Sequence, residues 1–187
     1  MKRKTGEKKV FNKARSAKEC AYIAVFVSLL IGAQLALSFL PGIEVVTALF
    51  VSYAFVMGIR RGMIVGVAFA LLRQWIFGFF PNVLILYLVY YNLLALTFGF
   101  LGKRIKERGR GLFFVIVTAC VCTVCFTLLD DVITPLYYGY TLRLAKLYFY
   151  ASLSVVIPQT VCVAISVGIL FLPLRRAFSL FLSRLEG

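Results

Sequence analysis

The chain has 187 residues, of which 62% are hydrophobic, 16% aromatic and 15% charged, and its formal net charge at pH 7 is +14. Soluble domains carry roughly 25% charged residues, so this composition predicts a protein that lies in a lipid bilayer. Nucleic-acid binding needs basic residues gathered on one surface, whereas here they border apolar segments, which argues against that function.

The basic residues predict the topology. Eighteen of the 21 Lys and Arg fall in four clusters, at 2–18, 60–61, 103–110 and 175–184, and apolar chain for two crossings separates consecutive clusters. Short loops rich in Lys and Arg stay in the cytoplasm, so we expect six crossings with both termini inside. The predicted fold is all-α, with six transmembrane helices in one compact bundle of the cell membrane.

We expect a basic cytoplasmic tail at 1–16, a six-helix membrane domain at 17–174 and a second basic tail at 175–187. The basic N-terminus lacks a small-residue cleavage site, so we expect it to be retained. Residues 130–146 form the longest predicted outer connection, and Pro173 is predicted to end the last span. The second span is short, at about 24 Å of helix. The predicted spans are 17–40, 44–59, 62–80, 83–101, 112–129 and 147–172.

The first span carries small residues on one helical face, because their spacing is four, three, four and four. In lipid, such faces let helices approach closely. The stripe either packs inside the bundle or docks another membrane subunit, and the sequence leaves both readings open. Its members are Ala17, Ala21, Ala24, Ser28 and Gly32.

Polar residues at membrane depth crowd toward the outer side. Ionisable groups there are costly and mark ligand sites, pathways or ion pairs. Arg73 lies deep in the third span, and we leave open a ligand contact or an ion pair with Glu44, Asp130 or Asp131. Asn92 and Gln159 are interpreted either as residues that form hydrogen bonds between helices or as residues that line a pocket. The predicted outward pocket comprises Glu44, Arg73, Trp75, Asn92, Asp130 and Gln159.

Tyrosines 137, 138, 140, 148 and 150 cluster around the last outer connection. They are interpreted either as an aromatic belt at the membrane interface or as a lid over the pocket.

Catalytic patterns are missing from the sequence. It has no His, which excludes His-dependent metal sites and Ser-His-Asp hydrolysis, and it has no HExxH, GxSxG or Gly-rich phosphate loop. Cys122 and Cys125 spell CxxC, but inside a span these thiols favour packing over redox chemistry. We therefore expect no enzyme activity, no metal and no cofactor.

The chain resembles the substrate-binding S component of energy-coupling factor (ECF) vitamin transporters. The features that carry this resemblance are the AxxxA-type signature of the first span, the stretch 40–44 leading into the second, and the Gly-and-basic turn at 57–62. Ala17 and Ala21 match AxxxA as written, whereas Ala24 and Ser28 match with Ser in the second place. The outer loop between the first two spans is shorter than the family's.

The resemblance implies a vitamin or related micronutrient captured from outside, and it places the chain in a prokaryotic plasma membrane. It also implies three partners, a transmembrane coupling subunit docked on the small-residue stripe and two cytoplasmic ATPase subunits. ATP hydrolysis by those partners fits a chain without a phosphate loop. Two alternatives stay open: a stand-alone secondary carrier or small channel, and a non-transporting membrane assembly protein.

Overall fold

A computed structural model describes the backbone of residues 2–39, 45–105 and 109–186, and the side chains of 17–39, 45–105 and 111–184. Within these ranges the chain forms six α-helices, which confirms the predicted all-α class. The helices are α1 (Lys2–Leu37), α2 (Val45–Met57), α3 (Ile59–Phe77), α4 (Pro81–Arg104), α5 (Gly109–Tyr137) and α6 (Leu142–Glu186).

Among the described residues, four helical stretches are long and apolar enough to cross a membrane, namely Ala17–Leu37, Pro81–Arg104, Gly111–Tyr137 and Leu142–Arg184. These stretches fit a multi-pass membrane protein. The other two helices differ from them: α2 has 13 residues, and α3 carries Arg60, Arg61 and Arg73 within 19. Six full crossings with both termini inside therefore stay a prediction.

The short helix α2 lies in the middle of the bundle. It packs against α1, α3, α4 and α6, and every one of its residues except Val45 and Val56 is buried. At 1.5 Å per residue it spans about 20 Å, less than the hydrocarbon thickness of roughly 30 Å. Because the other helices shield it, α2 needs no bilayer-length surface, and this accounts for the short second span seen in the sequence.

The remaining helices surround α2 in the order α1, α3, α4, α5, α6, and α6 contacts α1 again. Glycines bring α4 close to its neighbours. A Cβ built on Gly102 would lie 2.0 Å from the carbonyl oxygen of Phe55 in α2, and one on Gly99 would lie 2.6 Å from the backbone nitrogen of Ile59 in α3. Only hydrogen fits at such contacts, so these glycines set the distance between the helices.

Most of the predicted outer connection at 130–146 is helical. Helix α5 continues to Tyr137 and α6 begins at Leu142, so only residues 138–141 connect them. The turn passes through Gly139, whose φ of 64° suits a residue without a Cβ. Asp130 and Asp131 in this segment each accept one hydrogen bond from a side chain of α6, as described below.

The two predicted tails are also helical where they are described. Helix α1 begins at Lys2, and α6 passes through Pro173 and continues to Glu186, so this proline does not end the helix. Beyond Pro173, α6 keeps an apolar face: Phe178 is buried and packs edge-on against Phe26 of α1, with ring centroids 5.3 Å apart. This packing stabilises the extension despite the hydrogen bond that proline removes.

Candidate functional site

The folded bundle has two chemically different ends. One end, here the basic end, holds Lys18, Arg61, Arg104 and Arg175. At this end an ion pair at 2.6 Å between Arg61 Nε of α3 and Glu19 Oε1 of α1 joins two helices. The helices alternate in direction, so residues at the start of α4 and the end of α5 lie at the opposite end, here the far end.

Asp130 anchors a hydrogen-bond network at the far end. Its carboxylate accepts from the Thr134 hydroxyl at 2.6 Å and from the Tyr148 hydroxyl at 2.7 Å. Asn82 at the start of α4 donates to the Thr134 hydroxyl at 3.3 Å and accepts from the Tyr138 hydroxyl at 3.5 Å. The network therefore ties α4, α5 and α6 together.

Asp131 is held differently from its neighbour. Its Oδ2 accepts from the Ser152 hydroxyl of α6 at 2.7 Å, but its Oδ1 is buried and receives no hydrogen bond from the described residues. Buried acceptors are normally paired, and an unpaired one points to a water, an ion or a ligand.

The tyrosines near the α5–α6 turn divide into two groups. Tyr138 stacks on Tyr140 at 5.9 Å, and Tyr140 meets Tyr148 at 6.1 Å between ring centroids, so a chain of rings runs from the turn to Asp130. Tyr150 is 69% exposed on the bundle surface. The lid over a site and the aromatic belt at the membrane interface both stay predictions for this cluster.

A small cavity of about 80 Å³, here the inner cavity, lies where α1, α2, α4, α5 and α6 meet. Gln34 donates from Nε2 to the Tyr87 hydroxyl at 3.2 Å, while its buried Oε1 has no hydrogen-bond partner among the described residues. Aromatic rings and amides therefore surround the cavity. Its lining residues are Gln34, Val46, Tyr87, Tyr90, Tyr91, Phe126 and Gln159.

A larger groove of about 360 Å³, here the α5–α6 groove, runs beside the inner cavity. Phe126 and Gln159 line both spaces, so these two side chains stand at the boundary between them. Asp130 and Tyr148 lie in the groove wall, which places the far-end network beside the opening. The full lining is Phe126, Thr127, Asp130, Tyr148, Ala151, Ser152, Val155 and Gln159.

Arg73 lies over aromatic rings and pairs with neither nearby acid. Its guanidinium carbon is 4.4 Å from the ring centroid of Tyr87 and 5.0 Å from that of Phe77. Its buried Nε donates no hydrogen bond within the described part of the chain. An ion pair with Asp130 or Asp131, one of the readings left open by the sequence, does not form; the guanidinium makes cation–π contacts instead, and Glu44 lies outside the described residues.

The structure brings together only part of the predicted pocket. Asp130 and Gln159 line the groove, and Arg73 reaches a ring that lines the inner cavity. Asn92 lines neither space. Its Nδ2 donates to the Leu88 carbonyl at 2.6 Å, and its buried Oδ1 has no partner among the described residues.

Two other predicted pocket residues stand apart. Trp75 is 90% exposed and faces away from the bundle, so its place in the pocket was predicted incorrectly. Its position suits an aromatic residue at the membrane interface. Glu44 lies outside the described residues.

Sequence reasoning did not assign the aromatic wall of the inner cavity. Tyr87, Tyr90 and Tyr91 follow spacings of three and one, which places them on adjoining faces of α4, and Phe126 approaches Tyr90 at 4.4 Å between centroids. Gln34, the single amide in the apolar part of α1, was the available signal. Nothing in the apolar surroundings of Phe126 distinguishes it from a core residue.

The small-residue stripe of α1 points out of the bundle. All five members are exposed, and a Cβ built on Gly32 would meet nothing within 4 Å. Helix α1 packs instead through Phe26, Val27 and Leu30, which are buried. Packing of this stripe inside the bundle, one of the two readings left open by the sequence, is therefore wrong. The exposed stripe comprises Ala17, Ala21, Ala24, Ser28 and Gly32.

Comparisons of this chain with family models, with curated proteins and with solved structures found no match.

Proposed function

We propose that this chain is a membrane-embedded substrate-capture subunit, an S component that binds a vitamin or related micronutrient and delivers it with an ATP-driven ECF module. The observation that carries this proposal is the pair of adjoining spaces, the inner cavity and the α5–α6 groove, which share Phe126 and Gln159. Among the described residues, buried polar atoms without partners occur on Gln34, which lines the inner cavity, and on Arg73 and Asp131, which contact the lining residues Tyr87 and Ser152. A ligand with several hydrogen-bonding groups would satisfy these atoms.

The sizes of the two spaces favour a ligand seated across their boundary. Sites for small organic molecules measure roughly 300–1,000 Å³, a range that includes the groove at about 360 Å³ but not the inner cavity at about 80 Å³. Rotation of Phe126 and Gln159 would join the spaces. The aromatic faces and amides favour a flat heteroaromatic ligand with polar substituents, which enters from the far end through the groove.

Delivery requires partners, and the exposed stripe on α1 is the proposed contact. Small side chains allow another helix to approach closely, and Ala21 and Ala24 lie at the centre of this face. In the proposed assembly a transmembrane coupling subunit packs here and two cytoplasmic ATPase subunits drive transport. The basic end faces the cytoplasm, as the distribution of Lys and Arg favours.

Ligand capture is tested with the full chain purified in neutral detergent. We expect mass spectrometry to find one co-purified small organic molecule, and one member of a vitamin panel to raise the melting temperature. Gln159→Leu should weaken its binding by at least about tenfold, because a buried polar contact is lost. Ser154→Ala, an exposed change on the same helix, is the control. A chain that binds no panel member and carries no molecule contradicts the proposal.

Docking is tested separately by uptake in cells that also carry the coupling module. Ala24→Trp should block uptake and leave ligand binding unchanged, because the bulky ring separates the two helices at the stripe. Val117→Trp, which adds the same ring to an exposed position of α5, should preserve uptake. Uptake retained by the Ala24 variant would remove the docking role. Uptake by liposomes that contain this chain alone would indicate a stand-alone carrier or small channel.

A membrane assembly protein is the second candidate, and the far-end network favours it. Asp130 already has two hydroxyl donors, Thr134 and Tyr148, so it holds helices together without any ligand. If assembly is the function, Asp130→Asn reduces stability and no small molecule binds at any concentration tested. Capture of a ligand by the wild-type chain excludes this reading.

A further inference from the structure

A third space lies at the basic end of the bundle, whereas the α5–α6 groove lies beside the far-end network. The third space measures about 480 Å³ and is formed where α2 and α4 end beside α6. Phe55, Val56 and Gly102 supply one wall, and Arg175 and Arg176 supply the other. The proposed capture function uses none of these residues. This space is called the basic pocket below.

The pocket holds one guanidinium in a defined position. Half-buried Arg175 lies over the ring of Phe55, with 5.2 Å between its guanidinium carbon and the ring centroid. Gly102 brings the end of α4 against the Phe55 backbone, which fixes this ring between two helices. A guanidinium stacked on a ring keeps its N–H groups free around its edge, the geometry that binds two oxygens of a phosphate.

The positive charge of the pocket has no counter-charge among the described side chains. Arg175 and Arg176 form no ion pair and no side-chain hydrogen bond there, whereas Arg61 at the same end pairs with Glu19. The Ser179 hydroxyl donates its proton to the Arg176 carbonyl at 2.8 Å, so it has no second proton to donate to an anion. Two adjacent cations in a half-enclosed space attract an anion from outside the chain.

We propose that the basic pocket binds the phosphate group of an anionic phospholipid from the leaflet at the basic end. Basic pockets between membrane helices near the bilayer surface recognise such headgroups. The apolar wall of Phe55 and Val56 suits the glycerol and first acyl carbons next to the phosphate, a contact that inorganic phosphate lacks. This binding does not depend on substrate capture, so either proposal can fail alone.

The test uses the full chain in neutral detergent at 0.15 M salt, with dioctanoyl phosphatidylglycerol as the probe. We expect one saturable site, and Arg175→Gln and Arg176→Gln should each weaken it by about fivefold, the loss for one cation near a headgroup. Arg104→Gln is the matched control, since it removes one exposed cation at the same end outside the pocket. Salt screens such charges, so its effect should stay below about twofold.

Two further ligands distinguish the source of the phosphate. Dioctanoyl phosphatidylcholine should bind at least about fivefold more weakly, because its headgroup carries no net charge. Inorganic phosphate at the same concentration should not displace phosphatidylglycerol. Displacement by inorganic phosphate, equal binding of phosphatidylcholine, or an equal loss in the Arg104 variant would each overturn the proposal.

Folding is monitored for each variant by thermal unfolding in the same detergent. Because Arg175 packs on Phe55, Arg175→Lys is measured beside Arg175→Gln. Lysine keeps the positive charge but cannot bind two phosphate oxygens as a guanidinium does. The Lys variant should therefore bind phosphatidylglycerol less tightly than the wild type. Arg176 is exposed, and its variant folds without repacking. Unchanged phosphatidylglycerol binding by folded Arg176→Gln overturns the proposal even if the Arg175 variants unfold.

Discussion

Charged side chains at the two ends of the bundle differ in whether they have hydrogen-bond partners within the described residues. At the far end, the carboxylate of Asp130 accepts two hydrogen bonds from hydroxyls of the same chain. At the basic end, Arg175 and Arg176 have no hydrogen-bond or ion-pair partner among the described side chains. Asp130 is thus satisfied by side chains of its own chain, whereas Arg175 and Arg176 find no such partner in the described part of the chain.

Because of this difference, we expect polar substitutions at the far end to change the stability of the fold and neutralised cations at the basic end to change ligand binding. A buried polar group costs free energy when its partner is removed, so substitutions in the far-end network should destabilise the fold. Neutralising an unpaired surface cation costs little stability, so replacing the exposed Arg176 at the basic end should change ligand binding with little effect on stability. Four substitutions test this contrast, ordered by expected effect on the free energy of unfolding.

The largest effect should come from packing at the basic end. Gly102→Ala places a methyl group 2.0 Å from the Phe55 carbonyl oxygen, a backbone atom that cannot rotate away, and should destabilise the protein by about 3 kcal/mol. Gly32→Ala is the control: its methyl meets nothing within 4 Å, and it should be neutral or stabilising by up to about 1 kcal/mol. Unfolding in a denaturing detergent measures both. Equal stabilities would mean that α2 and α4 are not in close contact.

Tyr148→Phe should have the next largest effect. It removes the hydroxyl that donates to the Asp130 carboxylate at 2.7 Å, and bonds to charged groups contribute about 2 kcal/mol. Tyr150→Phe removes the same hydroxyl from a side chain that is 69% exposed and should change stability by less than about 0.5 kcal/mol. Equal losses of stability in the two variants would mean that the hydrogen bond from Tyr148 to Asp130 does not stabilise the fold.

Ser152→Ala should have a smaller effect. Asp131 loses its donor at 2.7 Å, but this site is partly accessible and water can replace the hydroxyl, so the expected loss is about 1 kcal/mol. Ser154→Ala is the control, because the exposed Ser154 hydroxyl bonds only to its own helix at the Ala151 carbonyl. Thermal unfolding compares the two. A larger loss of stability in the Ser154 variant than in the Ser152 variant would mean that the hydrogen bond from Ser152 to Asp131 does not stabilise the fold.

The smallest effect should be that of Arg176→Gln. In neutral detergent without anionic lipid, this variant should change the free energy of unfolding by less than about 0.5 kcal/mol, since Arg176 is exposed and has no partner among the described side chains. Chemical denaturation measures it beside Tyr148→Phe. A loss as large as in the tyrosine variant would erase the contrast between the two ends.

The fold was more predictable than the candidate site. Apolar runs separated by basic clusters were enough to predict six helices, because each helix in lipid must satisfy its own backbone hydrogen bonds. Helix ends were predicted less well: Pro173 lies inside α6, and residues 130–146 are mostly helical. Phe178 and Tyr148 hold these segments through contacts with other helices, which local composition does not reveal.

Site residues were predicted by type more than by position. Asp130 and Gln159 line the groove, whereas Trp75 faces outward and Arg73 stacks on Tyr87 with no acidic partner among the described residues. Residues that share the outer half of their helices need not share a face. Rotation of each helix about its axis is set by packing, and a single sequence does not specify it.

The amino-acid sequence alone determined the apolar composition of this chain, its helical class, the four basic clusters and the small-residue face of α1, since these follow from composition and local periodicity. Tertiary packing decided the rest. It buried α2 at the centre, turned the α1 stripe outward, and placed Phe126 and Gln159 between two spaces. The reason is physical: burial, pairing and cavities depend on which helices meet, and those contacts join residues far apart in the chain.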